Sequence, residues 1–188
     1  MTAGGCRWGY AGLLGALLMC AALSSGEVLK VNPRDGLAYV FVPAGSMLAG
    51  CSAGDTECFG WEDAPRAVEI SRGFWIGQTE ATQQAFQTVM GSNPSRYRGR
   101  NRPVEQVSWM VAVKYCAMVG MRLPTESEWE FAARGGTPAS KYGSLNEIAW
   151  ADSNSGDQTH PVAQKKPNAF GLYDTLGNVV GCPGDGPP

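Results

Sequence analysis

The sequence predicts a single loop-rich domain, in which short strands and short capped helices alternate with irregular segments. Its 188 residues include 25 Gly, 12 Pro and 6 Trp, a composition typical of turns and aromatic anchors rather than of a helical bundle. Hydrophobic residues make up 44% and charged residues 17%, so there is enough apolar material for a core. The net charge of −2 is unlike that of a nucleic-acid-binding domain, which carries clustered Lys and Arg.

The first 25 residues have the pattern of a secretory signal peptide. Arg7 precedes an apolar run over residues 11–23, and small residues follow this run. The run is too short and too interrupted by Gly for a membrane span. A lipoprotein leader processed at Cys20 is the alternative, but Met19 stands where such leaders carry a small residue. We therefore expect residues 1–25 to be removed and the remaining chain to be exported to the periplasm or the extracellular space.

Export implies an oxidising compartment, and four cysteines then remain after the leader. Cys51 and Cys58 enclose a short polar loop, so a local disulfide is the expected arrangement. A zinc site is the alternative for this pair, but the chain has no CxxC motif and a single His. Cys116 lies among apolar residues and is interpreted as a buried thiol. The fourth is Cys182.

Three short segments have the composition of strands. Residues 39–42 are rich in β-branched and aromatic side chains and stop at a Pro-Ala-Gly turn. Residues 68–70 alternate between apolar and polar side chains, and residues 74–76 form an aromatic and apolar run after a Gly. The sequence therefore predicts a strand at each of these places.

Two helices are predicted from their first and last residues. The first covers residues 81–90, with Thr79 or Thr82 as its N-cap and a Gly directly after it. The second begins after Ser108, a favourable N-cap, and ends at about Val119, again followed by Gly.

A third helix follows, with the clearest local pattern in the chain. Thr125 and Glu128 stand three residues apart and predict a capping box, in which each side chain accepts a hydrogen bond from the other residue's backbone. Trp129 and two alanines form an apolar stripe, and Gly135 supplies a left-handed stop. None of these residues is an obvious nucleophile or metal ligand, so we interpret the segment as architectural.

Two polar segments are candidates for a functional site by residue type alone. One is the loop that carries Arg96, Arg98, Arg100 and Arg102. We expect these arginines to be solvated, with a substrate groove as the alternative. The other contains Ser153, Asp157 and His160, from which a catalytic triad can be drawn. The sequence around Ser153 does not resemble a nucleophile elbow, so His160 is interpreted as a solvated loop residue.

Six segments occur in an order that is characteristic of a known family. They are FWIGQTEATQ (residues 74–83), MGSNPS (90–95), PVEQVSW (103–109), RLPTESEWEFAARGG (122–136), KPNAFGLYD (166–174) and LGN (176–178). Together they resemble the formylglycine-generating enzyme family, also called the sulfatase-modifying factor family, over residues 38–179. The resemblance implies an α+β, irregular C-type-lectin-like fold, here incomplete at its C-terminus.

The resemblance also implies an activity. Complete relatives oxidise a sulfatase cysteine to formylglycine, using oxygen and copper bound by two cysteines that follow the motif at Gly177-Asn178. Residues 180–188 form a Gly/Pro tail that does not match the family, and neither Cys116 nor Cys182 matches a catalytic cysteine. We therefore expect no catalytic residue, no copper and no oxidation of sulfatase-type peptides in this chain. The alternative is a non-catalytic lectin-like module that binds peptide or glycan.

Calcium is a further expectation from the resemblance. It assigns a side-chain oxygen of Asp174 and backbone oxygens of Gly177 and Val179 to one calcium ion, while the family's next ligand, a Glu, is replaced by Gly181. A second family site maps near Asn154. Calcium prefers six to eight oxygen ligands, so a site without the Glu is expected to be weak. A polar loop without metal is the alternative.

Overall fold

The structure, a computed structural model, describes residues 28–52 and 65–181. The elements in these ranges are strands β1 (Leu29–Val31), β2 (Ala38–Val42), β3 (Gly45–Ala49), β4 (Arg66–Ile70) and β5 (Phe74–Gly77), and helices α1 (Gln83–Met90), α2 (Trp109–Val119), α3 (Glu126–Arg134), α4 (Leu145–Ile148) and α5 (Asp152–Ser155). The expected leader at residues 1–25, the predicted disulfide partner Cys58 and the tail from Cys182 onward lie outside the described residues. This mixture of helix and sheet confirms the α+β class.

The strands form two antiparallel sheets. The first has the order β1-β2-β5, and the second pairs β3 with β4. The predicted strands at residues 39–42, 68–70 and 74–76 are confirmed as β2, β4 and β5. Strand β1 was not predicted. It lies before the expected domain boundary at residue 38, and Lys30 pairs with Tyr39 of β2, so the sheet begins upstream of that boundary.

The three predicted helix starts are confirmed by their hydrogen bonds. Thr82, rather than Thr79, caps α1, because its hydroxyl accepts from the N–H of residue 85 at 3.2 Å. Ser108 caps α2 in the same way. The capping box of α3 is complete: Glu128 N–H donates to the Thr125 hydroxyl at 3.2 Å, and Thr125 N–H donates to the Glu128 carboxylate at 2.9 Å.

The main core lies between the two sheets and α3. Val40 and Val42 of β2 pack with Phe131 of α3 and with Leu172, and all four are at least 95% buried. Burial of side chains of this size stabilises the fold by roughly 1.5–3 kcal/mol each. No helix in the described ranges is both long enough and apolar enough to cross a membrane.

A second core joins α1 to α2 through Phe86, Tyr115 and Val119. The rings of Phe86 and Tyr115 stack with their centroids 5.4 Å apart. The buried carboxylate of Asp35 accepts hydrogen bonds from the hydroxyl of Tyr39 at 2.8 Å and from that of Tyr115 at 3.1 Å. This shared acceptor fixes the first sheet against α2, which sets the width of the groove described below.

The end of α3 is anchored on both sides. The Arg134 side chain is buried and donates to Glu130, to the hydroxyl of Ser52 and to the carbonyl of Gly50, which holds the segment after β3. The amide of Asn168 donates to the last carbonyls of α3, at 2.7 and 3.1 Å, and its oxygen accepts from the backbone of the loop that follows. This clamp positions residues 168–175 beside β5.

Candidate functional site

A groove of about 830 Å³ runs along β5, and we call it the β5 groove. All four residues of β5 line it. Helix α2 contributes Tyr115 and Cys116 to its wall, and helix α3 contributes Trp129 and Ala132. Residues 179–181, the last that the structure describes, also line it. The groove is therefore built from the sheet, two helices and the end of the described chain.

The outer edge of β5 has no strand beside it in the described part of the chain. Directly after β5, the N–H of Gln78 donates to the carbonyl of the first residue of β2 at 2.9 Å. Bonded and non-bonded pairs alternate in an antiparallel ladder, so Phe74 and Ile76 direct their backbone groups towards β2. The backbone N–H and C=O groups of Trp75 and Gly77 then point away from β2, into the groove.

Apolar surface lies on both faces of this free edge. Trp75 pairs with Phe41 on the face towards α2, with ring centroids 5.4 Å apart, and the ammonium of Lys30 lies 4.4 Å from the Trp75 ring. Phe74 and Ile76 lie on the opposite face and pack against the core that contains α3. The groove is consequently apolar above and below the edge of β5.

Arg122 and Glu128 form an ion pair at the rim of the β5 groove, so their charges neutralise each other. Both terminal nitrogens of Arg122 donate to the two carboxylate oxygens of Glu128, each at 2.6 Å. This hydrogen bonding lowers the pKa of Glu128, and the N–H of Thr125 lowers it further. Arg122 is exposed, so the pair contributes little to stability, but it leaves the groove entrance without a net charge from these groups.

Two carboxyl groups line the groove: that of Asp174 is buried and that of Glu80 is half-buried. Glu80 accepts from the N–H of Val179 at 3.1 Å and from the side-chain amide of Asn178 at 2.8 Å. Burial raises the pKa of Glu80 to about 9, and the charge of Asp174 adds to this effect. One oxygen of Asp174 accepts from the N–H of Ala163 at 2.7 Å. Its other oxygen is buried and has no hydrogen-bond partner among the described residues.

Gly177 and Val179 are held beside these carboxyl groups by backbone contacts. A Cβ at Gly177 would lie 2.2 Å from the carbonyl oxygen of Trp150, so only glycine fits this close approach. The same oxygen accepts from the N–H of Asn178 at 2.8 Å, and Val179 N–H donates to the Gly177 carbonyl at 2.9 Å. Asp174, Gly177 and Val179 thus belong to one irregular segment, which we call the Asp174 turn, and Val179 is tied to Glu80.

Asn154 has a different local role. Its side-chain oxygen accepts from the N–H of Ala151 at 2.8 Å, and its amide donates to Asn146 and to the carbonyl of Ala149. All of these bonds hold the short helix α5 and the turn before it. The side chain of Asn154 is therefore engaged in hydrogen bonds, unlike the free oxygen of Asp174.

The chemistry of the Asp174 turn fits a calcium ion. One buried carboxylate oxygen of Asp174 has no hydrogen-bond partner in the described ranges, and a second carboxyl group, that of Glu80, lies close enough for its pKa to respond to the Asp174 charge. Hard oxygen donors of this kind suit calcium, and a cation there would favour the ionised form of both carboxyl groups. No group of three or more His, Cys, Asp or Glu side chains able to hold a metal occurs within residues 28–52 and 65–181.

The residues of the predicted triad do not form a site. His160 is half-buried rather than solvated: its ring stacks on Trp150 with centroids 3.7 Å apart, and its Nε2 lies 2.7 Å from the Ser155 carbonyl oxygen. Ser153 and Asp157 are exposed, so the triad geometry is absent. Arg96, Arg98 and Arg100 are exposed as expected, whereas Arg102 is half-buried. Arg98 and Arg100 help to line a polar surface pocket of about 630 Å³.

The two described cysteines differ in state. Cys51 is disulfide-bonded, while Cys58 lies outside the described residues, so the Cys51–Cys58 pairing stays a prediction. Cys116 is a free thiol, half-buried rather than fully buried. Burial raises its pKa to about 11, and the Asp35 carboxylate adds to the effect. A thiol with such a pKa is a weak nucleophile and a poor metal ligand at neutral pH.

Sequence reasoning missed Glu80 and the open edge of β5. Glu80 stands between an apolar strand and a helix N-cap, where a carboxylate is usually solvated. Its burial depends on partners about 100 residues further along the chain, since Asn178 and Val179 are 98 and 99 positions away. The aromatic run of β5 indicates a strand, but it does not reveal whether one or two neighbours pair with that strand.

The strands and helices, with long irregular segments between them, form an α+β domain. Residues 25–182 match the family model described as the sulfatase-modifying factor enzyme 1-like domain. This match covers well over half of the chain, and the chain belongs to the formylglycine-generating enzyme (sulfatase-modifying factor) family.

Individual relatives differ in name. Chaperone protein LppX of Paenibacillus barcinonensis is 33% identical over 167 residues, covering 56% of this chain and 60% of the relative. The formylglycine-generating enzyme of Mus musculus is 37% identical over 106 residues, covering 47% of this chain and 28% of the relative. The chain thus spans less than two thirds of either protein. The solved structure of Treponema denticola variable protein 1 aligns with a TM-score of 0.65 at 29% identity, covering 82% of this chain and 74% of the other.

Proposed function

We propose that this chain is an exported member of the family that binds polypeptide in the β5 groove and does not itself oxidise cysteine. The observation that carries the proposal is the groove: about 830 Å³, apolar on both faces and bordered by a strand edge with which no other described strand pairs. Concave apolar sites with a few polar groups are typical binding sites. The name chaperone, carried by a relative 33% identical to the chain, agrees with a polypeptide ligand.

The cysteines support the non-catalytic part of the proposal. Complete relatives, by the family resemblance, need two free cysteines to bind copper. In the described ranges Cys51 is disulfide-bonded, and Cys116 is free with a raised pKa. We expect no formylglycine when a peptide containing Cys-x-Pro-x-Arg is incubated with the chain, copper and oxygen, as read by mass spectrometry. Clear turnover, under conditions in which an active relative also turns over, would contradict this.

The proposal includes a calcium ion at the Asp174 turn, with a structural rather than a catalytic role. The ion would be held by the side chain of Asp174 and the backbone oxygens of Gly177 and Val179, with Glu80 nearby. It would supply positive charge beside these two carboxyl groups and so stabilise the turn that borders the groove. Calorimetric titration should show calcium binding that is lost in Asp174→Ala and is not reproduced by magnesium. Equal binding by the wild-type and variant chains would place the ion elsewhere.

Binding is tested with short apolar peptides labelled with fluorescein and measured by fluorescence anisotropy. Trp75→Thr removes an aromatic side chain from the groove while keeping a residue that favours strands. We expect this variant to bind at least about tenfold more weakly. Leu48→Thr is the matched control, because Leu48 is a 64% exposed strand residue in β3, outside the groove lining. Equal losses in both variants would refute binding in the groove.

Export is tested separately by N-terminal sequencing of the secreted protein. We expect a mature chain that begins close to residue 26, after the leader at residues 1–25. An intact leader on protein recovered from the cytosol would contradict export without affecting the binding proposal.

A further inference from the structure

We propose that a polar pocket beside α1, which we call the α1 pocket, binds an acidic saccharide: a hydroxyl-bearing ligand that carries a carboxylate or sulfate group. The pocket has a volume of about 630 Å³ and is lined by residues of α1 and of the loop that follows it. This volume is that of a site for a small organic molecule rather than for a single inorganic ion. The proposal goes beyond polypeptide binding in the β5 groove, and neither depends on the other.

The α1 pocket and the β5 groove are separate. All residues that line the pocket fall within 83–100, and none of them also lines the groove. Helix α1 lies between the two: Phe86 packs into the second core and borders the groove, whereas Gln84 and Gln87 are exposed and line the pocket. The contacts that shape the pocket are therefore local to α1 and its following loop.

A buried glutamine fixes the floor of the pocket. Gln83 is 99% buried, and its amide nitrogen donates to the carbonyl oxygens of Tyr97 and Pro103, at 2.7 and 3.1 Å. Its side-chain oxygen accepts from the amide of Asn93 at 2.9 Å and from the N–H of Gly99 at 3.1 Å. These four bonds use the full hydrogen-bonding capacity of the side chain. The loop is thus held in one arrangement against α1.

Two arginines border the pocket, and each is held by one hydrogen bond to its wall. Arg98 Nη1 donates to the carbonyl oxygen of Asn93 at 2.7 Å, and Arg100 Nε donates to the side-chain oxygen of Gln84 at 3.1 Å. A guanidinium has five N–H donors, so most donors of each arginine have no hydrogen-bond partner among the described residues. Planar forks of this kind match the oxygens of a carboxylate or sulfate group.

The positive charge of the pocket is not neutralised by any carboxylate of the described chain. No acidic residue lines the pocket. Glu105, the carboxylate nearest to these arginines in the sequence, accepts from the N–H of Tyr97 at 2.8 Å and is not part of the lining. The N–H groups of Gln83 and Gln84, at the start of α1, already donate to carbonyls of the loop. An anion would therefore be held by arginine side chains rather than by the helix terminus.

The uncharged part of the lining determines what else the ligand carries. The side-chain amide of Gln87 has no hydrogen-bond partner among the described residues. The hydroxyl of Thr88 donates to the carbonyl of Gln84 at 2.9 Å, and its oxygen remains an acceptor. No aromatic, Val, Leu, Ile or Met side chain lines the pocket, so an apolar ligand would bury little there. A ligand with an oxyanion and several hydroxyl groups satisfies both the arginines and the amides, and an acidic saccharide has this chemistry.

The test compares three trisaccharides with the same ring skeleton: neutral galactotriose, trigalacturonate with a carboxylate on each ring, and galactotriose with a sulfate on each ring. Binding to the isotope-labelled chain is followed by NMR. We expect an acidic trisaccharide to bind saturably and to shift the N–H signals of Gln87, Gly99 and Arg100. Galactotriose should bind at least about tenfold more weakly. The tighter of the two acidic trisaccharides identifies the anionic group as carboxylate or sulfate.

Variants locate the site. Arg98→Gln and Arg100→Gln should each weaken binding of the tighter trisaccharide about tenfold. Arg96→Gln is the matched control, because Arg96 is exposed in the same loop but lies over the Tyr97 ring and outside the pocket lining. It should change the affinity less than about threefold. The melting temperature should be unchanged in all three variants, since these arginines are exposed.

A further variant separates hydroxyl recognition from attraction of a bare anion. Gln87→Ala should weaken trisaccharide binding about threefold and leave the affinity for inorganic sulfate unchanged, because sulfate has no hydroxyl groups. Inorganic sulfate bound as tightly as the acidic trisaccharides, with no effect of Gln87→Ala, would reduce the pocket to a simple anion site and overturn the proposal. Equal losses in Arg96→Gln and the two pocket variants would also overturn it.

Three other results would contradict an acidic saccharide. Absence of saturable binding by both acidic trisaccharides would do so directly. Tighter binding of the acetylated and amidated peptide Gly-Asp-Glu-Asp-Gly would make the pocket a site for acidic peptides. Replacement of the acidic residues at 55, 57, 62 and 63, outside the described residues, by their amides should leave the affinity unchanged. A tenfold tighter affinity after this replacement would show that the chain's own acidic segment competes for the arginines.

Discussion

Replacing Glu80 by Gln should remove the pH dependence of stability that the half-buried carboxyl group imposes. The pKa of Glu80 is raised from 4.5 to about 9 in the folded chain, first by burial and second by Asp174. A carboxyl group with a raised folded pKa stabilises the fold fully below pH 4.5, and this contribution is lost as pH rises towards 9. At pH 7 the loss amounts to roughly 3 to 4 kcal/mol, from about 2.5 pH units at about 1.4 kcal/mol each.

The neutral amide of the Glu80→Gln variant has no such dependence, but it replaces one hydrogen-bond acceptor by a donor, at a cost of about 1 kcal/mol. In urea denaturation at several pH values with EDTA present, the Glu80→Gln chain should be less stable at pH 5 and more stable at pH 8, so the two curves cross. Glu69→Gln, at an exposed position of β4, is the matched control and should follow the wild-type chain. Parallel curves for the wild-type and Glu80→Gln chains would refute the assignment of Glu80 as a half-buried, largely protonated group.

Three other substitutions or reactions test the structure independently. Arg134→Met removes the buried guanidinium that ties α3 to the segment after β3, and urea denaturation should show a loss of about 3 kcal/mol. The exposed control Arg66→Met should change stability by less than about 0.5 kcal/mol, and equal effects would contradict the anchoring role. Gly177→Ala would place a Cβ 2.2 Å from the Trp150 carbonyl oxygen, so the melting temperature should fall by several degrees; an unchanged value would contradict the close approach. The thiolate fraction of Cys116 at pH 8 should be about 100-fold below that of an ordinary cysteine, because its pKa is raised from 9.0 to about 11, and rapid alkylation of the folded chain by iodoacetamide would contradict this.

The features that were predictable from the sequence are those decided within a few residues. A helix start depends on one side chain and the N–H two or three positions later, so Ser108 and the capping box of Thr125 could be assigned directly. The three predicted strands are likewise short runs with favourable local composition. The family assignment could also be made, because six segments in order specify a fold more strongly than any one of them.

The elements that were missed depend on distant partners or have weak local signals. Strand β1 has three exposed residues and is held by pairing with β2, and β3 begins with Gly and Ser, which disfavour strands. Helices α4 and α5 have four residues each, too few for a helical period.

The features of the candidate site also differ in whether local sequence or distant packing determines them. Asp174, Gly177 and Val179 were assigned to a metal site through the family motif, and this assignment stays a prediction. Glu80 and the free edge of β5 could not be derived, because burial and an unpaired edge result from packing between segments far apart in sequence. His160 was expected to be solvated for a related reason: its stacking partner Trp150 lies ten residues earlier in an irregular segment.

Amide hydrogen exchange measured by NMR tests the central claim about the groove most directly. In the free chain, the N–H groups of Phe74 and Ile76 bond to β2 and should exchange slowly, whereas those of Trp75 and Gly77 should exchange fast. When a short apolar peptide is added, the N–H groups of Trp75 and Gly77, which line the groove, should gain protection, while the exchange of Leu48, outside the groove lining, should not change. No gain of protection at Trp75 and Gly77, or an equal gain at Leu48, would contradict binding in the groove.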